Sequence, residues 1–176
     1  VQTDGICTHT FTPAPDLSAT QADEIERLAL RIAAELDVTG ILAVELMQRA
    51  DGTVVVNELA MRPHNTGHWS IDGAHTSQFE NHLRAVADLP LGPTDARQPR
   101  AAMVNVLGGA RDDLLAASAE VLAAEPRARV QLYGKSVVPG RKVGHVTVVG
   151  DDAADVRARA QAAADHLMGR DDSEGQ

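Results

Sequence analysis

The chain has 176 residues and carries 25 acidic against 16 basic side chains, a net charge of −9; its summed field repels polyanions, and no Lys/Arg block offsets it, so no nucleic-acid partner is expected. No apolar run approaches the roughly 18 to 20 residues of a membrane span and no charged-then-apolar leader opens the chain, so no membrane association and a cytoplasmic location are expected. The single cysteine, Cys7, excludes an internal disulfide and any multi-cysteine metal site and suits a small apolar role.

This length makes one large domain or two small ones. The chain opens VQTDGIC, without an initiator Met or a recognisable helix start, as though cut from something longer. From Thr20 to Leu36 the apolar residues Ile25, Leu28, Ala29, Ile32, Ala33 and Leu36 recur at helical spacing behind Ser18 or Thr20 as N-cap, which predicts an amphipathic helix. GILAVELMQ and TVVVNELA follow, rich in β-branched and apolar residues, around a link containing Asp51-Gly52; this predicts a β-hairpin. Residues 61–73 hold Pro63, Gly67 and Gly73 among polar side chains and read as a loop, and a helix is predicted from Ser77 to Ala87.

PLGPTDARQP, with three prolines and no periodicity, marks a domain boundary. Beyond it AAMVNVLG, VQLYG and HVTVVG read as strands, and DDLLAASAEVLAAE and DDAADVRARAQAAADHLMG as helices, the last with an Asp-rich start and Gly169 near its stop. The tail RDDSEGQ is expected to fray.

The hairpin carries the sharpest chemical inference. With Asp51 and Gly52 as a two-residue turn, Ala50 pairs with Thr53, Arg49 with Val54, and further along Glu45 falls directly opposite Glu58. Opposed residues share a sheet face with Cβ atoms about 4.5–5.5 Å apart, so two carboxylates there repel. On this register Ala43, Met47, Val56 and Ala60 share the face and screen the pair poorly. Either one carboxyl retains its proton, or a cation sits between them. Oxygen ligands without cysteine suit magnesium, which typically binds through one or two carboxylates and a nucleotide. The competing outcome is a longer turn, a register slipped by one, and one glutamate facing solvent.

After the second strand comes NELAMRPHNTGHW. His64 and His68 are four apart, but Pro63 and Gly67 argue against the helix that a zinc pair would need. A loop with Arg62, His64 and Asn65 leaving a strand with a metal carboxylate suits an oxyanion and a polar substrate, since guanidinium matches carboxylate, bicarbonate or phosphate; an ordinary polar loop is the bland alternative. Trp69, the only tryptophan, suits a lid or core anchor. In YGKSVVPGRKVGH, Lys135, Arg141 and Lys142 stand among three glycines, a combination that presents charge and backbone N–H groups to one phosphate, unless it is simply a solvated basic turn. His9, His75, His82, His145 and His166 belong to no constellation and read as surface or packing residues.

Four segments, LDVTGILAVELM, VNELAMRPHNTGHWSIDGAHTSQFENHLRAVADLPLG, AAMVNVLG and YGKSVVPGRKVGH, together resemble, in order, the family of 5-(carboxyamino)imidazole ribonucleotide synthases, the ATP-grasp carboxylases of purine biosynthesis. Met61 stands where the family usually has Pro, and Thr66 where Ser is common. The resemblance implies an α+β fold: residues 1–92 as the C-terminal subdomain of an ATP-grasp core, an antiparallel sheet with helices, then residues 93–176 as a small β-rich α/β C-terminal domain with the phosphate-binding turn. It implies ATP and magnesium as cofactors and aminoimidazole ribonucleotide and bicarbonate as substrates of an ADP-forming ligase.

By the same resemblance Glu45 and Glu58 bind magnesium, Asn57 and Glu58 contact the nucleotide, and Arg62 orients bicarbonate or the carboxyphosphate made from it. His64 and Asn65 contact the ribonucleotide, and Lys135, Arg141 and Lys142 clamp its phosphate. The family's N-terminal domain and glycine-rich lid have no counterpart here, so the missing N-terminal half is an expected partner, and the chain alone is expected to be inactive. Family members are commonly dimers, which makes a homodimer a further expectation. Two other readings remain at this point: a different ATP-grasp ligase, and a non-catalytic remnant that binds a ribonucleotide phosphate or a partner protein.

Overall fold

The computed structural model describes residues 1–3 and 5–170, so the expected fraying of the tail beyond Arg170 lies outside the described residues. The chain divides into two compact units, one of Ala14–Asp95 and one of Val1–Pro13 with Ala96–Gln176. The second boundary falls inside the proline-rich segment. The division differs from the sequence-based one at the N-terminus, where residues 1–13 join the C-terminal unit. Among the described residues no helix is long and apolar enough to cross a membrane.

In the C-terminal unit, β1 (Gln2–Thr3) and β2 (Ile6–Cys7) form a small hairpin, and β3 (His9–Thr12) enters the main sheet. That sheet has the order β3-β6-β8-β7, all antiparallel, with β6 (Arg100–Leu107), β7 (Arg129–Leu132) and β8 (Lys142–Gly150). No sequence signal marked the three N-terminal strands. Two or four residues are too few for a period to emerge, and β3 is strand because β6 offers it a ladder from Ala101 to Val104.

The helices of this unit are α4 (Leu114–Ala124), capped by Asp113, and α5 (Ala153–Met168), capped by Asp152 and closed by Gly169 in the left-handed conformation at φ 69°. Val156, Ala160, Ala163, Ala164 and Leu167 of α5 pack with Val121 of α4 and with Val104, Val106, Val146 and Val148 of the sheet into one core. The small alanines let α5 lie close to the strands, and the β-branched valines suit a fully buried sheet. Met103, Asn105, His145 and Thr147 alternate with these valines and are equally buried.

In the other unit α1 (Ala19–Glu35) starts with a reciprocal capping box between Ser18 and Gln21, which explains its register. Its apolar stripe is only half-buried, and no α1 residue is fully buried. A groove of about 390 Å³ lies between α1 and the hairpin, lined by Leu17, Ile25, Leu28 and Val54 among others. The hairpin is β4 (Ala43–Gln48) with β5 (Val54–Ala60). The stretch expected to be loop contains a 3-10 turn, Asn65–Gly67, and a one-turn helix, α2 (Ser70–Gly73), before α3 (Gln78–Val86) starts behind its Ser77 cap. Side-chain capping by His64 makes the 3-10 turn possible, a signal outside the usual Ser/Thr/Asp/Asn set. Reciprocal hydrogen bonds from buried Asn81 of α3 to the backbone of Gly92, at 3.2 and 2.9 Å, pin the start of the proline-rich segment.

Candidate active site

The hairpin turn has three residues, not two. Arg49 N donates to Thr53 O at 2.8 Å and Gly52 N to Arg49 O at 2.9 Å, with Gly52 at φ 86°, where glycine alone is unstrained. Asp51 organises this turn by accepting from Thr53 N and Oγ1 at 2.9 and 2.7 Å, contacts that hold its carboxyl below the ordinary value. The longer turn slips the register by one, so that Gln48 faces Val54 and Leu46 faces Val56. An irregularity then follows: after Leu46↔Val56 the next pair is Glu45↔Glu58, and Asn57 is the extra residue of a β-bulge. The opposed carboxylates are therefore present by a different route, and Val55, not Val56, shares their side of the ladder next to Met47.

Each glutamate has a local partner. Asn57 Nδ2 donates to Glu45 Oε1 at 3.3 Å. Glu58 Oε1 lies 3.6 Å from the Arg62 guanidinium and 3.9 Å from His64 Nε2. Both of the latter distances exceed a hydrogen bond, and the Arg62 guanidinium lowers the repulsion between the carboxylates as a charge contact. The Glu58 side chain is 48% exposed and Arg62 61%, whereas His64 is only 12% exposed. The donors at this edge are oxygens of two carboxylates and one amide, the set that a magnesium ion completes with phosphate and water. Among the described residues no group of three or more His, Cys, Asp or Glu is placed to hold a metal ion.

His64 is held on three sides. Its Nδ1 faces Thr66 Oγ1 at 2.9 Å and Thr66 N at 3.4 Å; as acceptor from that N–H it leaves the proton of the neutral ring on Nε2, the edge toward Glu58. Its backbone N donates to Gln78 Oε1 at 2.9 Å, and its carbonyl accepts from Gln78 Nε2 at 2.8 Å. Asn65 opens the 3-10 turn beside it. Trp69, half-buried, stands at the start of α2 and accepts from Gly73 N at 2.8 Å. Gln78 was not singled out from the sequence, because a glutamine at the first turn of a helix carries no spacing signal toward a loop fourteen residues earlier.

The basic turn lies in the C-terminal unit, between β7 and β8. Gly134 and Gly140 adopt φ 65° and 75°. Lys135 Nζ sits over the Tyr133 ring at 5.5 Å, Arg141 donates to Ser136 Oγ at 2.8 Å, and half-buried Lys142 begins β8 opposite Leu107. Gly108 anchors the turn: its N donates to Arg141 O at 2.8 Å, it bridges Pro139, and a Cβ on it would lie 2.1 Å from Val138 O. Tyr133 OH and His145 Nδ1 are 2.7 Å apart, and burial pushes the phenol up to about 12. His145, 1% exposed, is thus a buried partner of Tyr133.

An ATP-grasp domain model matches residues 1–79, and a phosphoribosylaminoimidazole carboxylase C-terminal domain model matches residues 101–159. An N5-carboxyaminoimidazole ribonucleotide synthase of Mycobacterium bovis is 53% identical over 170 residues, 95% of this chain and 40% of that protein; its counterpart from Corynebacterium ammoniagenes is 47% identical over 174 residues, covering 96% and 42%. The chain belongs to the N5-carboxyaminoimidazole ribonucleotide synthase family. It spans about 40% of the length of the curated relatives it matches.

Solved structures of the family agree with the fold. The Aspergillus clavatus synthase complexed with ATP superposes with a TM-score of 0.84 at 35% identity, over 95% of this chain and 44% of that one. The same enzyme with ADP and 5-aminoimidazole ribonucleotide gives 0.83 at 35%, over 95% and 45%. The Thermus thermophilus synthetase gives 0.81 at 43%, over 96% and 44%. The α+β architecture of antiparallel sheets and helices is that of this family.

Proposed function

We propose that this chain forms the C-terminal part of a ligase that carboxylates 5-aminoimidazole ribonucleotide with bicarbonate at the expense of ATP, giving 5-(carboxyamino)imidazole ribonucleotide, ADP and phosphate. The observation that carries this reading is the Glu45–Glu58 pair with Arg62 and His64 gathered on Glu58. The family membership and the ATP and ribonucleotide complexes of relatives support it.

A bicarbonate oxygen attacks the γ-phosphorus, the bond to ADP breaks, and carboxyphosphate results. The exocyclic amine of the ribonucleotide then forms the C–N bond, loses a proton, and phosphate leaves. Magnesium on Glu45 and Glu58 would supply positive charge to the phosphate oxygens. Asn57 and Glu58 face the nucleotide. Arg62, exposed beside Glu58, orients bicarbonate and the carboxyphosphate by its planar donors. His64 and Asn65 bind the acceptor, with the His64 Nε2 edge kept as a donor by the contacts of its Nδ1. Lys135, Arg141 and Lys142 hold the 5′-phosphate.

The unit Ala14–Asp95 exposes Leu30, Leu36, Val56, Leu59 and Met61 at 45–63%, and α1 buries no residue fully. That surface suits the remaining part of the synthase, which favours the reading of this chain as half of an enzyme over that of an autonomous binding module. The chain alone is expected to lack turnover. A homodimer and a cytoplasmic location belong to the same reading.

The test is a chimera in which this chain replaces the matched segment of the Mycobacterium bovis synthase. ATP hydrolysis should require both bicarbonate and the ribonucleotide. Hydrolysis indifferent to the ribonucleotide would sink the assignment.

A further inference from the structure

The loop that carries His64 and Asn65 is capped from within by the His64–Thr66 contacts, and it is also gripped from outside by the first residue of α3. We infer that Gln78, at the start of α3, is a positioning residue that preorganises this loop for the acceptor ribonucleotide; the inference rests on the proposed roles of His64 and Asn65. Gln78 makes three side-chain contacts to the loop: Oε1 accepts from His64 N at 2.9 Å, and Nε2 reaches His64 O at 2.8 Å and His68 Nδ1 at 2.9 Å. A carboxamide carries an acceptor oxygen and a donor nitrogen side by side on one planar group, so the Gln78 side chain satisfies the N–H and the C=O of His64 at once.

The grip is itself supported. Gln78 N donates to Ser70 Oγ at 2.9 Å, and Ser70 Oγ donates to Gly67 O at 2.6 Å, so α3 and the loop are tied by side chain and backbone together. The His68 ring stacks on Phe79 with centroids 5.6 Å apart. Gly67 completes the arrangement. A Cβ built there would fall on Gln78 Oε1, and its φ is not in the left-handed region, so a side chain at this position is opposed by the Gln78 carboxamide, which would have to move, and not by the backbone.

With Gln78 in place, His64 presents its Nε2 edge toward Glu58 before any ligand arrives. Without it, the acceptor must order the loop as it binds, and that cost appears in its affinity. The Gln78 side chain contacts His64 and His68 of the loop, whereas the phosphoryl-transfer carboxylates lie on the hairpin and Glu58 meets His64 only beyond hydrogen-bond distance, so the effect should fall mainly on the ribonucleotide.

In the chimera, Gln78→Met, which retains length and volume, should raise KM for the ribonucleotide by roughly tenfold, the change that about 1.4 kcal/mol of lost preorganisation brings. KM for ATP should stay within about twofold. KM is independent of the amount of folded enzyme, so partial loss of protein does not blur the result. Gly67→Ala should reproduce the effect by pushing the carboxamide aside, yet add nothing to Gln78→Ala, because both act on one contact. An unchanged ribonucleotide KM in Gln78→Met, a parallel rise in KM for ATP, or additivity of Gly67→Ala with Gln78→Ala would overturn the inference.

Hydrogen exchange at the His64 amide, read on the same proteins, is independent of turnover. Protection in the parent that is lost in Gln78→Met is expected. Equal exchange in both would overturn the clamp even in a chimera whose reaction had failed, whereas a failed reaction with lost protection would count against the proposed substrate alone.

Discussion

Glu45 stands directly opposite Glu58 because two irregularities of the hairpin cancel: a turn one residue longer than the shortest type and a bulge at Asn57 one residue before Glu58. The bulge also gives Asn57 the freedom to donate its amide to Glu45. Bulges re-aim side chains next to active sites, and here the extra residue lies between the apolar part of the strand and its carboxylate.

If the pair binds the metal, Glu58→Gln in the chimera should lower magnesium-dependent turnover by roughly a hundredfold, the scale seen when one stabilising group is removed from a phosphoryl or acyl transfer site. The side chain is half-exposed, so stability should change by less than about 0.5 kcal/mol. A magnesium titration of turnover, beside a thermal melt, checks both. Turnover and magnesium dependence equal to the parent's would remove Glu58 from the metal site.

Gly108→Ala should displace the basic turn. The new methyl meets the Val138 carbonyl, which belongs to the backbone and cannot rotate away, and the bond from Gly108 N to Arg141 O is strained with it. A stability loss of about 1–3 kcal/mol is expected from such overpacking, measured by urea denaturation. The ribonucleotide KM in the chimera should rise as Arg141 moves. A normal KM would separate Arg141 from the phosphate.

Tyr133 is the only tyrosine of the chain, so its ionisation can be followed by ultraviolet absorbance without interference. Burial raises its folded pKa to about 12 from an ordinary 10.0. Between these values the folded state binds more protons than the unfolded state. Stability from this group is therefore fully present below about pH 10 and declines as pH rises toward 12. Tyr133→Phe should remove that alkaline decline and lose the contact to His145, at a cost of about 1 kcal/mol near neutrality. A midpoint at the ordinary value in the folded chain would contradict the buried phenol.

Arg159 joins two acidic side chains, Glu125 at 2.7 and 2.9 Å and Asp155 at 2.9 Å. Hydrogen bonding to Arg159 holds the Glu125 carboxyl below its ordinary 4.5. A depressed folded pKa means that this stabilisation is present above about 4.5 and is lost as pH falls through the folded value. Arg159→Met should thus be less stable than the parent near neutral pH, by about 1 kcal/mol for a partly exposed pair, with the gap closing on acidification below 4.5. Melting curves at several pH values decide it; a gap that persists under acid would assign the loss to packing.

Much of the candidate site was legible as residue types in order. Glu45, Asn57, Glu58, Arg62 and His64 form one neighbourhood in the structure; hairpin spacing pointed to the two glutamates, the loop after the strand to Arg62 and His64, and only the family resemblance to Asn57. The turn has three residues, so the pairs expected next to it, Arg49 with Val54 and Ala50 with Thr53, do not form, yet Glu45 still meets Glu58, because a turn and a bulge each shift a ladder by one and nothing in a strand's local preference marks the second shift. Gln78 was invisible for another reason: its partners are reached through the backbone of His64, and backbone groups have no identity in a sequence.

The helices α1, α3, α4 and α5, the hairpin and the later strands follow from apolar periods, caps and turn residues, all of which act within a few residues of one another. The family likeness is equally local, carried by unbroken strings. Only the tertiary structure joined β3 to β6, pairing His9 with Val104, placed Tyr133 against buried His145, and closed Gln78 on the His64 loop. These contacts bridge long or backbone-only separations, and their free energy comes from excluding water and matching donors to acceptors in three dimensions, which no local pattern encodes.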